Sequence, residues 1–120
     1  MVELACRKVD VILAPTDHTV ASAITTIAAI ALKYKKPFIV SDNMLVKFGA
    51  LAARGVDYKA DGKRAAHIAY DVLVKGKKPY ELPIEQVKSE QVFINQTTLT
   101  TLGLTIPNEL QKHVVLLHKD

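Results

Sequence analysis

Alternating apolar runs and polar turns predict a strand, a helix and a second strand in the first third of the chain. Residues 9–14 (VDVILA) are mostly apolar and β-branched, which is typical of a strand covered on both faces. Residues 18–34 have apolar side chains at helical spacing, with Thr16 or Asp17 at the N-cap position. Pro37 ends this pattern, and residues 38–41 (FIVS) are predicted to form a second buried strand.

The rest of the chain continues this alternation. In order, the pattern predicts a short helix over 44–48, a strand over 49–53, a helix capped by Asp61 and closed by Gly76, a strand over 91–95, a short helix over 97–102 and a last helix opened by Pro107. Strands and helices in this order predict an α/β fold, a parallel sheet flanked by helices, in one domain over residues 1–120.

Two polar clusters follow the first two predicted strands. PTDHT occupies residues 15–19 and SDN occupies residues 41–43. Because parallel sheets bind ligands beyond the carboxyl ends of their strands, we expect both clusters at one edge of the sheet. Asp17 and Asp42 each either cap the following helix, or accept hydrogen bonds from a ligand ammonium, or do both. With helix N-termini free for a carboxylate, the pair suits a zwitterionic amino acid.

Other chemistries find little support in the sequence. The formal net charge is +4, but the lysines are scattered and the seven aromatic residues are not interleaved with them, which argues against nucleic acid. His18 has no histidine partner at metal-ligand spacing, so we expect no metal. Neither a phosphate-binding glycine loop nor a G-x-S-x-G elbow occurs. We therefore expect a binding protein without a cofactor and without enzymatic activity.

The N-terminus and the hydropathy pattern bear on location. The single cysteine, Cys6, cannot form an internal disulfide. The apolar stretch 21–32 is shorter than a membrane span, and no basic-then-apolar leader precedes it. Taken as written, the chain is expected to be cytoplasmic.

Four stretches, in order and spacing, carry a resemblance to a known family. They are VDVILAPTDHTVASA (9–23), KPFIVSDNMLVKFGALAARGVDYKADGKRAA (36–66), VLVKGKKPYELPIE (72–85) and FINQTTLTTLGLTIP (93–107). The chain resembles the C-terminal part of bacterial ABC transporter substrate-binding proteins, in the branch associated with tryptophan or tyrosine. This resemblance implies one lobe of a type I periplasmic-binding fold, in which two lobes close over a small ligand.

The resemblance also implies a set of cleft residues. They are Asp17, His18, Thr19, Ser41, Asp42, Phe48 and Gly49. By this comparison Asp17 contacts the ligand's ammonium and Ser41 or Thr19 contacts its polar ends. Phe48 is either an apolar wall of the cleft or an ordinary core residue.

The implied partners are a small amino-acid-like ligand and an ABC permease, with the whole protein in the periplasm or anchored outside the membrane. A lobe by itself is expected to bind weakly, because half of the contacts are missing. We also expect it to form a homo-oligomer that covers apolar faces of the segments INQTTLTTLG and LQKHVVLL. The alternative is a sensory, regulatory or oligomerisation domain of the same fold.

Overall fold

The computed structural model describes residues 1–85 and 89–118, which divide into two compact units. One unit contains residues 1–55 and 90–118, and the other contains residues 56–85 with Ser89. The first unit holds the sheet and every residue of the predicted site. The second unit is built on one long helix.

A five-stranded sheet organises the first unit. Its strands are β1 (Ile12–Ala14), β2 (Phe38–Val40), β3 (Ala52–Ala53), β4 (Val92–Asn95) and β5 (Val114–Leu117), in the spatial order β1-β2-β3-β4-β5. The pairs β1/β2, β2/β3 and β4/β5 are parallel, whereas β3 and β4 are antiparallel. The α/β class is confirmed, but the wholly parallel sheet was wrong. The chain returns after residue 89 to the edge at which β3 ended, and this return reverses β4.

Most helices agree with the sequence pattern in kind and differ in their bounds, whereas the helix Val2–Cys6 was not predicted. They are α1 (Val2–Cys6), α2 (His18–Ser22), α3 (Ile24–Lys33), α4 (Tyr58–Leu73) and α5 (Gln96–Leu102), with 3₁₀ helices at Asn43–Phe48, Pro79–Glu81 and Gln111–His113. The helix predicted over 18–34 is two helices, because the backbone leaves helical geometry at Ala23. Asp57, not Asp61, caps α4, since its side chain accepts hydrogen bonds from the N–H groups of Lys59 and Ala60.

Two further predictions were wrong near strands. The strand expected over 49–53 is limited to Ala52–Ala53, because a 3₁₀ helix and its cap occupy the residues before it. The helix expected after Pro107 is replaced by the 3₁₀ turn Gln111–His113 and by β5. Val114 and Val115 are β-branched, and β5 pairs with all of β4 from Val92↔Val114 to Asn95↔Leu117.

The core lies on both faces of the sheet. The larger cluster of buried residues comprises Ala14, Ile24, Ala28, Ala31, Phe38, Val40, Val46, Ala50 and Ala53. The smaller comprises Leu51, Ile94 and Leu99. Ala53 belongs to the first cluster, whereas Ala52 packs against the second. Because neighbouring strand residues face opposite sides of a sheet, the two clusters lie on opposite faces.

Candidate functional site

Two polar loops meet where β1 and β2 end. Ala14 and Val40, the last residues of these parallel strands, lie side by side. The hydroxyl oxygens of Thr16 and Ser41 are 2.9 Å apart and share a hydrogen bond. The expectation that both polar clusters lie at one edge of the sheet is therefore confirmed. We call this edge the rim and define it as residues 16–19, 41–43 and Gly55.

Gly55 joins the rim from the end of β3. Its N–H donates to Oδ1 of Asn43 at 3.2 Å. A Cβ atom at this position would lie 1.5 Å from the carbonyl oxygen of Ser41, a distance that no side chain tolerates. Glycine is therefore required for the third loop to lie against the second. From the sequence, Gly55 was expected only to end a strand. The SDN cluster, which ends 12 residues earlier in the chain, was the available signal.

Asp17 caps α2 from the rim. Its Oδ1 accepts a hydrogen bond from the N–H of Val20 at 3.0 Å. This bond, assisted by the backbone and hydroxyl of Thr19, lowers the pKa of the Asp17 carboxyl below its usual value. The capping role is thus confirmed. The side chain is exposed and carries its negative charge at neutral pH, so it remains accessible to a cationic group.

Asp42 has the same local role in the second loop. Its Oδ1 accepts from the N–H of Met44 at 2.9 Å and caps the 3₁₀ helix Asn43–Phe48. The neighbouring Ser41 is half-buried and bound to Thr16. The two aspartates therefore begin two helical segments that leave the same edge of the sheet.

His18 and Thr19 complete the first loop. They are the first two residues of α2, and both are exposed. The carbonyl oxygen of Thr19 accepts a hydrogen bond from the hydroxyl of Ser22. Five of the seven predicted residues, namely Asp17, His18, Thr19, Ser41 and Asp42, are thus brought together on the rim.

Phe48 and Gly49 lie elsewhere in the first unit. They end the 3₁₀ helix that Asp42 begins, and Gly49 adopts a φ of 113° as its C-cap. The N–H of Leu51 donates to the carbonyl of Phe38, the first residue of β2. Phe48 and Gly49 therefore lie at the opposite, amino edge of β2 and β3. There they line a cleft of about 360 Å³ with residues of α3 and α5.

Asn95 and Thr98 organise that amino edge, and neither was predicted from the sequence as a site residue. The buried Asn95 donates from Nδ2 to the carbonyl of Val46 at 2.9 Å, while its Oδ1 accepts from the N–H of Thr98 at 3.0 Å. The hydroxyl of Thr98 donates to the carbonyl of Gly49. Asparagine directly before a helix is an N-cap signal, but its bond to Val46 spans 49 residues and has no local signature.

Besides the rim aspartates, a cluster of ionisable side chains lies at the carboxyl end of β3. Arg54, Glu90 and His113 line a cavity of about 220 Å³, in which Nδ1 of His113 is 3.9 Å from Oε2 of Glu90. Because β3 and β4 are antiparallel, the residues before β4 lie at the same edge as the residues after β3. This edge of the sheet therefore offers charges of both signs.

Residues 1–85 and 89–118 carry neither a metal-binding cluster nor a membrane-spanning helix. No group of three or more histidine, cysteine or acidic residues in this part of the chain is placed to hold a metal ion. None of the helices described there has the length and hydropathy needed to cross a bilayer.

Comparison with known proteins identifies the family. The model of the ABC transporter substrate binding protein family matches residues 1–115. The chain belongs to this family. It is also 34% identical over 97 residues to the tyrosine-binding protein of Clostridioides difficile strain R20291, a match that covers 81% of this chain and 28% of that protein.

Solved structures agree with this assignment. A protein from Streptococcus pneumonia in complex with L-Trp has a TM-score of 0.80 at 32% identity, covering 95% of this chain and 39% of that one. A ligand-free, open substrate-binding protein with adhesive properties from Clostridium difficile has a TM-score of 0.78 at 26% identity, covering 99% and 39%. The mixed sheet with its helices thus matches one lobe of a periplasmic-binding fold. The chain spans 28% of its curated relative and 39% of these solved relatives.

Proposed function

We propose that this chain is part of a receptor for a small amino-acid-like ligand and that the rim is its contact surface. The observation that carries this proposal is the convergence of three loops, joined by the Thr16–Ser41 and Asn43–Gly55 hydrogen bonds, at the carboxyl edge of parallel strands. This is the edge at which open α/β sheets bind their ligands. Relatives named for tyrosine binding and for a complex with L-Trp favour an aromatic amino acid.

Each rim side chain has a role in this proposal. The exposed carboxylate of Asp17 accepts hydrogen bonds from the ligand's ammonium. Hydroxyl groups of Thr19 and Ser41 bind its polar ends, and Asp42 fixes the loop that carries Ser41. His18 flanks Asp17 on the same helical turn. No covalent step and no cofactor is involved, so the chain acts by binding and is not an enzyme.

The receptor that contains this chain delivers its ligand to an ABC permease. We place that whole protein in the periplasm or anchored outside the cytoplasmic membrane, as the family assignment favours. Fractionation of cells that express the whole protein tests this location. Recovery in the cytoplasm would instead favour the sensory or regulatory role.

Titration of the ¹⁵N-labelled chain with L-tyrosine and L-tryptophan, followed by NMR, is the decisive experiment because it detects weak binding. We expect the largest amide shifts at Asp17, Thr19, Ser41 and Asp42. Asp17→Asn keeps the cap, since asparagine caps helices as well as aspartate, but it removes the charge. We therefore expect Asp17→Asn to weaken binding.

Two controls separate charge from structure. Asp57→Asn makes the same substitution at the cap of α4 and should leave the affinity unchanged. N-acetyl-L-tyrosine lacks the ammonium, so the wild-type chain should bind it more weakly than it binds L-tyrosine. The affinity for N-acetyl-L-tyrosine should be about the same in the Asp17→Asn variant as in the wild-type chain. Shifts centred on Phe48 and Gly49, or an affinity that Asp17→Asn does not change, would contradict the assignment of the rim.

A further inference from the structure

The cleft of about 360 Å³ at the amino edge has a mostly apolar wall. We call it the amino-edge cleft and define it by its lining residues in three segments, 25–32, 47–49 and 97–98. One face of α3 forms the wall, with residues three or four positions apart, namely Thr25, Ala28, Ala29 and Leu32. Gly49 lies against this wall, since a Cβ on Gly49 would be 3.1 Å from the Cβ of Ala28. The volume is in the range of cavities that hold small molecules.

An aromatic ring and an ammonium group lie side by side in the lining of this cleft. Nζ of Lys47 is 5.1 Å from the centroid of the Phe48 ring, and Phe48 is 43% exposed. Thr97 adds an exposed hydroxyl to the lining. Among the described residues that line the cleft, none is acidic. The cleft therefore offers an apolar surface for the body of a ligand and a cation for a negatively charged end.

Basic residues are concentrated at the same edge of the first unit. Of the eight lysines and arginines within residues 1–55 and 90–118, only Arg54 and Lys112 lie at the edge that carries the rim. The other six lie at the amino edge, where α1, α3 and the 3₁₀ helix Asn43–Phe48 end: Arg7, Lys8, Lys33, Lys35, Lys36 and Lys47.

Acidic residues show the opposite distribution within the same ranges. Two of them lie at the amino edge, each near a lysine. Glu3 is 3.9 Å from Lys33, and Asp10 is 3.8 Å from Lys36. The other four lie at the edge that carries the rim: Asp17, Asp42, Glu90 and Glu109. The excess of positive charge at the amino edge attracts anions and disfavours cationic groups.

We propose that the amino-edge cleft binds a small apolar carboxylate, a ligand class distinct from the zwitterionic amino acid assigned to the rim. The apolar body packs against α3 and the ring of Phe48. The carboxylate accepts hydrogen bonds from the ammonium of Lys47 and the hydroxyl of Thr97. The buried hydroxyl of Thr98 is committed to the carbonyl of Gly49, so Lys47 and Thr97 carry the polar recognition. A free amino acid binds less well here, because its ammonium group meets positive charge and no carboxylate.

NMR titration of the ¹⁵N-labelled chain with 3-phenylpropionate tests this proposal. The probe has the carbon skeleton of phenylalanine but lacks the ammonium group. We expect saturable amide shifts at Thr25, Ala29, Gly49 and Thr97. The dissociation constant of L-phenylalanine, read at the same four amides, should be higher by about tenfold or more.

Three variants separate the cleft from the general charge of the chain. Lys47→Gln removes the cation and should raise the dissociation constant for 3-phenylpropionate by about fivefold or more. Lys112→Gln is the matched control at the other edge and should leave this constant unchanged. Ala29→Leu fills the cleft from an exposed position of α3 with a residue that favours helices, and it should abolish the shifts. Far-ultraviolet circular dichroism verifies that the variants fold.

Three results would overturn the proposal. One is the absence of saturable shifts at the cleft with about 10 mM 3-phenylpropionate. Another is equal weakening by Lys47→Gln and Lys112→Gln, which would mean that only the net charge attracts the probe. The third is binding of L-phenylalanine at the cleft as tight as that of 3-phenylpropionate. Titration of the same variants with L-tyrosine reports on the rim, and shifts there should not depend on Lys47 or Ala29. Failure of either proposal therefore leaves the other readable.

Discussion

The two edges of the sheet use polar residues in opposite ways. On the rim, Asp17, His18 and Thr19 are exposed. The hydrogen bonds of the rim are either local, as at the Asp17 cap, or single links between loops, as between Thr16 and Ser41. At the amino edge, Asn95 and Thr98 are buried and bound to carbonyl groups 49 residues away. Polar groups that remain accessible can bind a ligand, whereas buried ones are committed to the fold. This difference separates a binding surface from a structural one.

The amino edge should be the more sensitive to mutation. Asn95→Ala leaves the buried carbonyl of Val46 and the N–H of Thr98 without their partners. We expect the free energy of unfolding to fall by about 2–4 kcal/mol, measured by urea denaturation. The neighbouring Thr97→Ala, at an exposed position, should change stability little. A loss below about 1 kcal/mol for Asn95→Ala would mean that water replaces these bonds, and the contrast between the edges would fail.

A substitution at Gly55 should disturb the rim through the backbone of Ser41. Gly55→Ala forces a Cβ against the carbonyl of Ser41, so one of the two loops must move. We expect a loss of about 1–3 kcal/mol and NMR shifts at Ser41 and Asn43. Gly62→Ala is the matched control, because a Cβ there meets nothing within 4 Å and lies inside α4. It should stabilise the chain by about 0.5–1 kcal/mol. Equal effects of the two substitutions would show that the loops do not pack as described.

The smallest expected effect concerns the pH dependence of the Asp17 cap. Folding lowers the pKa of this carboxyl because the ionised form accepts the Val20 hydrogen bond better. Its contribution is therefore complete well above 3.8, the value of an unperturbed carboxyl, and is lost as the pH falls through the lower folded-state pKa. Asp17→Asn should flatten the acid limb of the stability profile slightly. An unchanged profile would mean that the hydrogen bond does not distinguish the two protonation states.

Much of the fold and most of the site follow from short-range patterns. The strand at 38–40, the 3₁₀ helix before Gly49 and the caps at Asp17 and Asp42 involve neighbouring residues, so their signals are local. The shared edge of the first two loops followed from the rule for parallel strands. Phe48 was grouped with those loops by resemblance, but the length of the 3₁₀ helix carries it to the opposite edge.

By itself, the sequence determined the α/β class, the order of the first strands and helices and the polar character of the rim. Only the tertiary structure decided that β4 runs antiparallel to β3, that residues 114–117 form a strand and that Asn95 binds Val46. It also decided that Gly55 must lack a side chain, because Ser41 lies against it. The physical reason is the distance along the chain over which each interaction acts. Capping and periodicity act within a few residues, whereas strand direction, edge pairing and close backbone contact depend on segments far apart in the chain.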